Sequence, residues 1–143
     1  MTTMTINHVS MLSNAGQARQ QDLTFALTGE IRKPDAVRFD MDSDIPEFSI
    51  SVKSARFTLA SASALSATTF EGQLNEFSER VHSEKFAYVT KDNMVYIMNK
   101  VEFLDFCHEF CGWEQESKKN GGAYKVRCRK ESKRMIKWLQ AKA

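Results

Sequence analysis

The chain has 143 residues, 42% of them hydrophobic, enough for one core that buries roughly two-thirds of the unfolded surface and too few for two independent domains. No apolar run approaches the roughly 18–20 residues of a membrane span, and the polar opening MTTMTINHVS lacks the charge and apolar stretch of a secretory signal; a single cytoplasmic domain over 1–143, without membrane contact, is expected. The net charge of +2 conceals a split: 118–143 holds ten Lys or Arg against Glu131 alone, a local +9, leaving −7 elsewhere, which marks a local surface for a polyanion.

In chain order, residues 1–13 show no clear period and are expected to form a loose arm or a dimer contact. AGQARQQDLTFAL at 15–27 favours helix, with Gly29 as a left-handed stop. AVRF at 36–39 reads as a short strand and DMDSDIP as its turn. EFSISVK at 47–53 then alternates, with Phe48, Ile50 and Val52 on one face and Glu47, Ser49, Ser51 and Lys53 on the other. The apolar positions next become Ala55, Phe57 and Leu59, so a bulge or tight turn belongs at Lys53–Ser54.

Thr68 and Glu71 have capping-box spacing, and Phe70, Leu74, Phe77 and Val81 follow at helical intervals, predicting an amphipathic helix over 69–82. FAYVT and MVYIM flank Lys91-Asp92-Asn93 as a hairpin. Asn99 with Glu102 caps a helix running through Cys111 and stopped at Gly112; its apolar face is Phe103, Leu104, Phe106, Cys107, Phe110 and Cys111. Asn120-Gly121-Gly122 is a turn, AYKVRC at 123–128 a strand, and 131–141 a terminal helix. A mixed α/β fold is the expected class.

Two constellations bear on chemistry. Pro34-Asp35 opens one strand, and the next ends in Ser51-Val52-Lys53. Cutting a phosphodiester needs a divalent metal held by carboxylate oxygens to polarise the phosphate and ready a water, plus a cation to orient that water or offset developing charge. Asp35 near the start of one strand and Lys53 near the end of its neighbour are placed to converge. This pairing resembles the PD-(D/E)XK nuclease superfamily, and within it the small homodimeric type II restriction endonucleases. Their αβββαβ core, in which the second helix is followed by a strand pair, a helix and a late basic strand, is similar to the element order over 15–130. The resemblance implies a homodimeric, Mg²⁺-dependent DNA endonuclease of restriction or recombination type, with Asp35 as metal ligand and Lys53 as catalytic cation.

The chain departs from that pattern at Ser51, where the family carries Asp or Glu. Some members supply the missing acid from the following helix, which nominates Glu71 as the second metal ligand, with Glu76 the weaker choice. Glu47 shares a face with Lys53 but lies six residues back, roughly 20 Å along a strand. Gln17 and Gln21 stand where the first helix often contributes a glutamate. A plainer reading exists: Pro-Asp commonly opens a strand, and a lysine at a strand end is usually solvated.

The basic end is the second constellation. Alternation places Lys125 and Arg127 on one face of the late strand, continued by Arg129, while Lys130, Lys133, Arg134 and Lys137 follow on the helix. Such residues contact phosphates, and a guanidinium on a groove-facing strand can also read guanine; all but Lys137 are nominated for DNA contact, Arg127 and Arg129 foremost. Asp40, Asp42 and Asp44 have D-x-D-x-D spacing, but Ile45 and Ser51 replace the Gly and Glu of a calcium loop, leaving a charged turn. Cys107 and Cys111 lie on the apolar stripe and Cys128 has no matching pair, so core thiols are expected rather than zinc ligands. His8 and His82 have no partner legible in sequence. Besides the enzyme, two rivals stand: the same fold with catalysis lost, binding DNA, and a protein-interaction factor whose basic end meets an acidic partner.

Overall fold

The computed structural model describes residues 1–34, 44–59 and 65–143. The fold is mixed α/β. Among the described residues, ten elements run in the order β1 (Thr2–Thr5), α1 (Ala15–Thr28), β2 (Ile50–Ser54), α2 (Phe70–Arg80), β3 (Lys85–Val89), β4 (Met94–Asn99), α3 (Lys100–Phe110), β5 (Cys111–Gln115), β6 (Tyr124–Cys128) and α4 (Lys133–Lys142), with short 3₁₀ turns at Pro46–Phe48 and Lys118–Asn120. One sheet has the order β1-β4-β3-β2; β2 runs parallel to β3, while β4 is antiparallel to both β3 and β1. β5 and β6 form a second, antiparallel pair.

β3 lies inside the larger sheet and is buried on both faces, which is why FAYV reads as a continuous apolar run rather than an alternation. Phe86 and Tyr88 face α2 and α3, where Leu74, Phe77, Phe103 and Phe106 pack with Met135 and Leu139 of α4. Phe86 and Phe103 stack with centroids 4.3 Å apart. Ala87 and Val89 face the other way, into a smaller cluster with Ile6, Leu23, Ile45, Ile50 and Val95.

The local signals account for most element limits. Asn14 caps α1 by accepting from Gln17 N–H, and Gly29 ends it with φ 77°. Asn99 and Glu102 complete a reciprocal capping box at α3, and the turn between β3 and β4 uses Asn93 at φ 62°. The kink expected near Lys53–Ser54 occurs: β2 ends at Ser54 and Ala55 takes φ 49°.

Five expectations are corrected. Residues 1–13 are not a loose arm: Thr2–Thr5 form an edge strand on β4, and the N–H groups of Val9 and Ser10 both donate to Asp22 Oδ1. The strand expected over 47–53 is shorter, because Pro46–Phe48 coil into a 3₁₀ turn and Ser49 takes φ 53°. Thr69, not Thr68, caps α2, its side chain accepting from Gly72 N–H. α3 does not run through Cys111 to a stop at Gly112; it ends at Phe110, and Cys111 passes directly into β5. The third strand of the αβββαβ order, which the alternation of Ala55, Phe57 and Leu59 would supply, does not join the larger sheet; those residues lie beside β6, through Leu59 N–H to Val126 O and Cys128 N–H to Phe57 O. The strand expected at 36–39 lies outside the described residues.

Candidate nucleic-acid interface

β2 presents Ile50 and Val52 to the α1 side of the sheet, which turns Ser51 and Lys53 toward the helical layer on the other face. Ser51 is buried, its Oγ 2.5 Å from the Oγ of buried Ser83. A hydroxyl in that position ties β2 to the end of the α2–β3 connection. Lys53, opposite Tyr88 in register, holds its ammonium 5.9 Å from the centre of the Phe57 ring. The side chain is half-buried, and no carboxylate among the described residues pairs with it. Asp35, its expected counterpart, lies outside the described residues, as do Asp40 and Asp42. Asp44 accepts the Val52 N–H at 2.7 Å and so anchors β2.

The two carboxylates nominated from α2 have other companions. Glu71, in the first turn, lies 3.3 Å from His108 Nδ1 on α3. Glu76 accepts the N–H groups of Ser66 and Ala67 and pairs with Arg80; those backbone bonds and, after them, the Ser66 hydroxyl and Arg80 outweigh the opposing effect of burial and hold its carboxyl at about 2. Gln21 is buried and donates to Arg32 O. Among the described residues no three His, Cys, Asp or Glu side chains are grouped closely enough to hold a metal ion.

The basic strand is largely neutralised within the fold. Lys125 is buried and its ammonium lies 2.7 Å from Glu116. Arg127 lies 3.8 Å from Glu114, which also takes Arg56 at 3.0 Å. Glu114 stands opposite Lys125 in register, yet the charges pair diagonally: Lys125 with Glu116, just past β5, and Arg127 with Glu114. Arg134 is tethered too, 3.3 Å from Glu109 and 4.7 Å above the Phe110 ring.

Four cations between Cys128 and Trp138 are different. Arg129 crosses Gly112, where an added Cβ would sit 3.3 Å from its guanidinium. Lys130, Lys133 and Lys137 follow, and all four are exposed with no acid paired to them among the described residues. Lys133 and Lys137 stand one helical turn apart on α4, whose Met135 and Leu139 are fully buried. Packing thus fixes which face of α4 reaches solvent.

The three thiols are free and buried, with Cys111 opposite Cys128 across the β5–β6 pair. Hydrogen bonding from Cys107 and burial push the Cys111 thiol well above its ordinary value, and Cys111 with burial does the same to Cys128. They are core groups, as the place of Cys107 and Cys111 on the apolar stripe implies.

A pair between exposed His8 and buried Asp22 was not legible in the sequence. Asp22 is fully buried; its Oδ2 meets His8 Nδ1 at 2.8 Å and its Oδ1 takes two backbone N–H groups. Burial works to raise its pKa, but the hydrogen bonds from His8, Val9 and Ser10 prevail and lower it.

No helix among the described residues is long and apolar enough to cross a membrane. Comparison of the chain with protein-family models, with curated proteins and with solved structures finds no match.

Proposed function

We propose that this protein binds DNA through the β6–α4 end of its fold, within a nuclease-like architecture of the kind its Pro34-Asp35 and Ser51-x-Lys53 pairing resembles. The observation that carries the reading is the run of Arg129, Lys130, Lys133 and Lys137. All are exposed and unpaired among the described residues, in a segment where Lys125, Arg127 and Arg134 are already matched by acids. Cations that fold without internal partners keep their full attraction for phosphate, and each phosphate contact releases condensed counterions. A duplex-binding titration is expected to give a log–log salt slope of about 3.5 if all four engage, at about 0.9 per contact. Lys133→Glu with Lys137→Glu lowers that slope by about 2, whereas Lys125→Ala leaves it nearly unchanged. A flat salt response in the wild type overturns DNA binding and favours an acidic protein partner.

A second reading, Mg²⁺-dependent cleavage by a homodimer, is favoured by Lys53. An ammonium half-buried at the end of β2, with no carboxylate partner among the described residues, is open to a phosphate. An αβββαβ core of the restriction-endonuclease kind is part of the same proposal. Ser51 and Glu71, as they stand, are engaged with Ser83 and His108 and do not form a metal site. Supercoiled and branched DNA incubated with Mg²⁺ or with EDTA decides it. Metal-dependent cutting that vanishes in Lys53→Ala and Asp35→Ala supports an endonuclease; retardation without cutting leaves a DNA-binding protein.

A further inference from the structure

The β5–β6 hairpin carries an aromatic feature that the basic run does not use. Trp113 and Tyr124 stack across the two strands with centroids 5.8 Å apart and planes 18° from parallel. They share a face with buried Val126 and Cys128 but lie toward the open end of the pair, where Tyr124 is 47% exposed. With Leu65, Ala67, Thr68 and Gln73 the two rings line a cleft of about 400 Å³, within the range that takes one planar ligand, roughly 300–1,000 Å³.

The polar groups of this cleft are mostly spent. Gln73 donates to Ala67 O and Tyr124 O and accepts from Val126 N–H, and the Ser66 hydroxyl is held by Glu76. What remains is flat π surface and apolar wall, which favours a ring without reading its edges. On the same hairpin, just beyond Glu116, Lys118 and Lys119 form the 3₁₀ turn, both exposed and without an acid paired to them among the described residues. A planar platform beside unpaired cations is the combination that recognises an unpaired nucleotide, the base by stacking and the phosphates by charge.

We propose that the cleft takes an unpaired base of single-stranded DNA, stacked on Tyr124 and Trp113, with flanking phosphates met by Lys118 and Lys119. This rests on the DNA-binding reading and narrows it to substrates with a single-stranded portion, because a paired base has no free face to offer.

Fluorescence anisotropy of the full chain with a labelled 12-nucleotide dT strand and with a 12-base-pair duplex, at equal low salt, tests it. Tyr124→Ala is expected to weaken single-strand binding by roughly 5- to 150-fold, since stacking is worth about 1–3 kcal/mol per base, and to leave duplex affinity within about twofold. Tyr124→Phe, which keeps the ring, retains single-strand affinity, and an unchanged melting temperature in both variants shows that folding is intact. Equal single-strand affinity in wild type and Tyr124→Ala overturns the cleft and leaves DNA binding standing, as does an equal loss on both DNA forms. No binding of either form by the wild type removes both.

Discussion

Asp22 shows how much one side chain can organise. A fully buried carboxylate is costly unless hydrogen bonds replace its water, and here His8 and the N–H groups of Val9 and Ser10 do so. The same bonds fasten the segment before α1 to the helix, so β1 is delivered to the edge of the sheet. Asp22→Ala leaves two backbone donors unmet and is expected to cost about 2–3 kcal/mol in a denaturant titration. The pH dependence has a definite sign. Because the folded pKa is lowered from 3.8, the stabilisation is complete above the ordinary carboxylate value and drains away as pH falls below it toward the lowered one. Wild type and variant should therefore converge in stability on acidification, and a gap that stays constant down to pH 2 would contradict the assignment. None of this was visible in residues 8–22, since burial of Asp22 depends on where the sheet lies, not on local pattern.

At the scale of elements, periodicity and capping identified α2, α3 and the β3–β4 hairpin, because each buries a stripe whose spacing is intrinsic to its backbone, while helix-favouring composition and the Gly29 stop marked α1. The capping residue of α2 is a narrower matter. Thr68 and Thr69 both have suitable side chains, and the choice falls to Thr69, whose hydroxyl reaches Gly72 N–H at 3.0 Å. Thr69→Ala should cost about 1 kcal/mol, while Thr68→Ala should stay within about 0.5 kcal/mol, by thermal or chemical unfolding. Equal losses would mean that the cap is shared. β5 escaped notice for a physical reason: CGWEQ offers no clean alternation, and Gly112 after a helix imitates a stop signal. Its strand character comes from pairing with β6 and from Arg129 N–H bonding to Phe110 O. β5 is also what neutralises the basic strand, since Glu114 and Glu116 arrive with it.

For the molecule as a whole, α1 covers one side of the larger sheet and α2, α3 and α4 supply the other core, so both faces of β3 are dry. Ile6, just past β1, is 3% exposed and its N–H bonds Asn93 O; the N-terminal segment is therefore part of the smaller core rather than an appendage. Ile6→Ala is expected to destabilise by about 2–4 kcal/mol, the cost of a buried aliphatic truncation. A change below about 0.5 kcal/mol would return residues 1–13 to the status of a loose arm.

Composition, charge asymmetry and hydrophobic spacing were sufficient, without coordinates, to establish a mixed α/β chain with a basic C-terminal end and core thiols, because those properties follow from counts and from the periods of helix and strand. Which cations remain available was decided only by tertiary structure. Lys125 and Lys133 look alike in sequence, yet one is buried against Glu116 and the other stands free on α4. Likewise the Ser51 hydroxyl and the Glu71 carboxylate acquire their partners, Ser83 and His108, from segments 32 and 37 residues away in the chain. Charge pairing and desolvation are set by three-dimensional neighbours, and no local pattern encodes them.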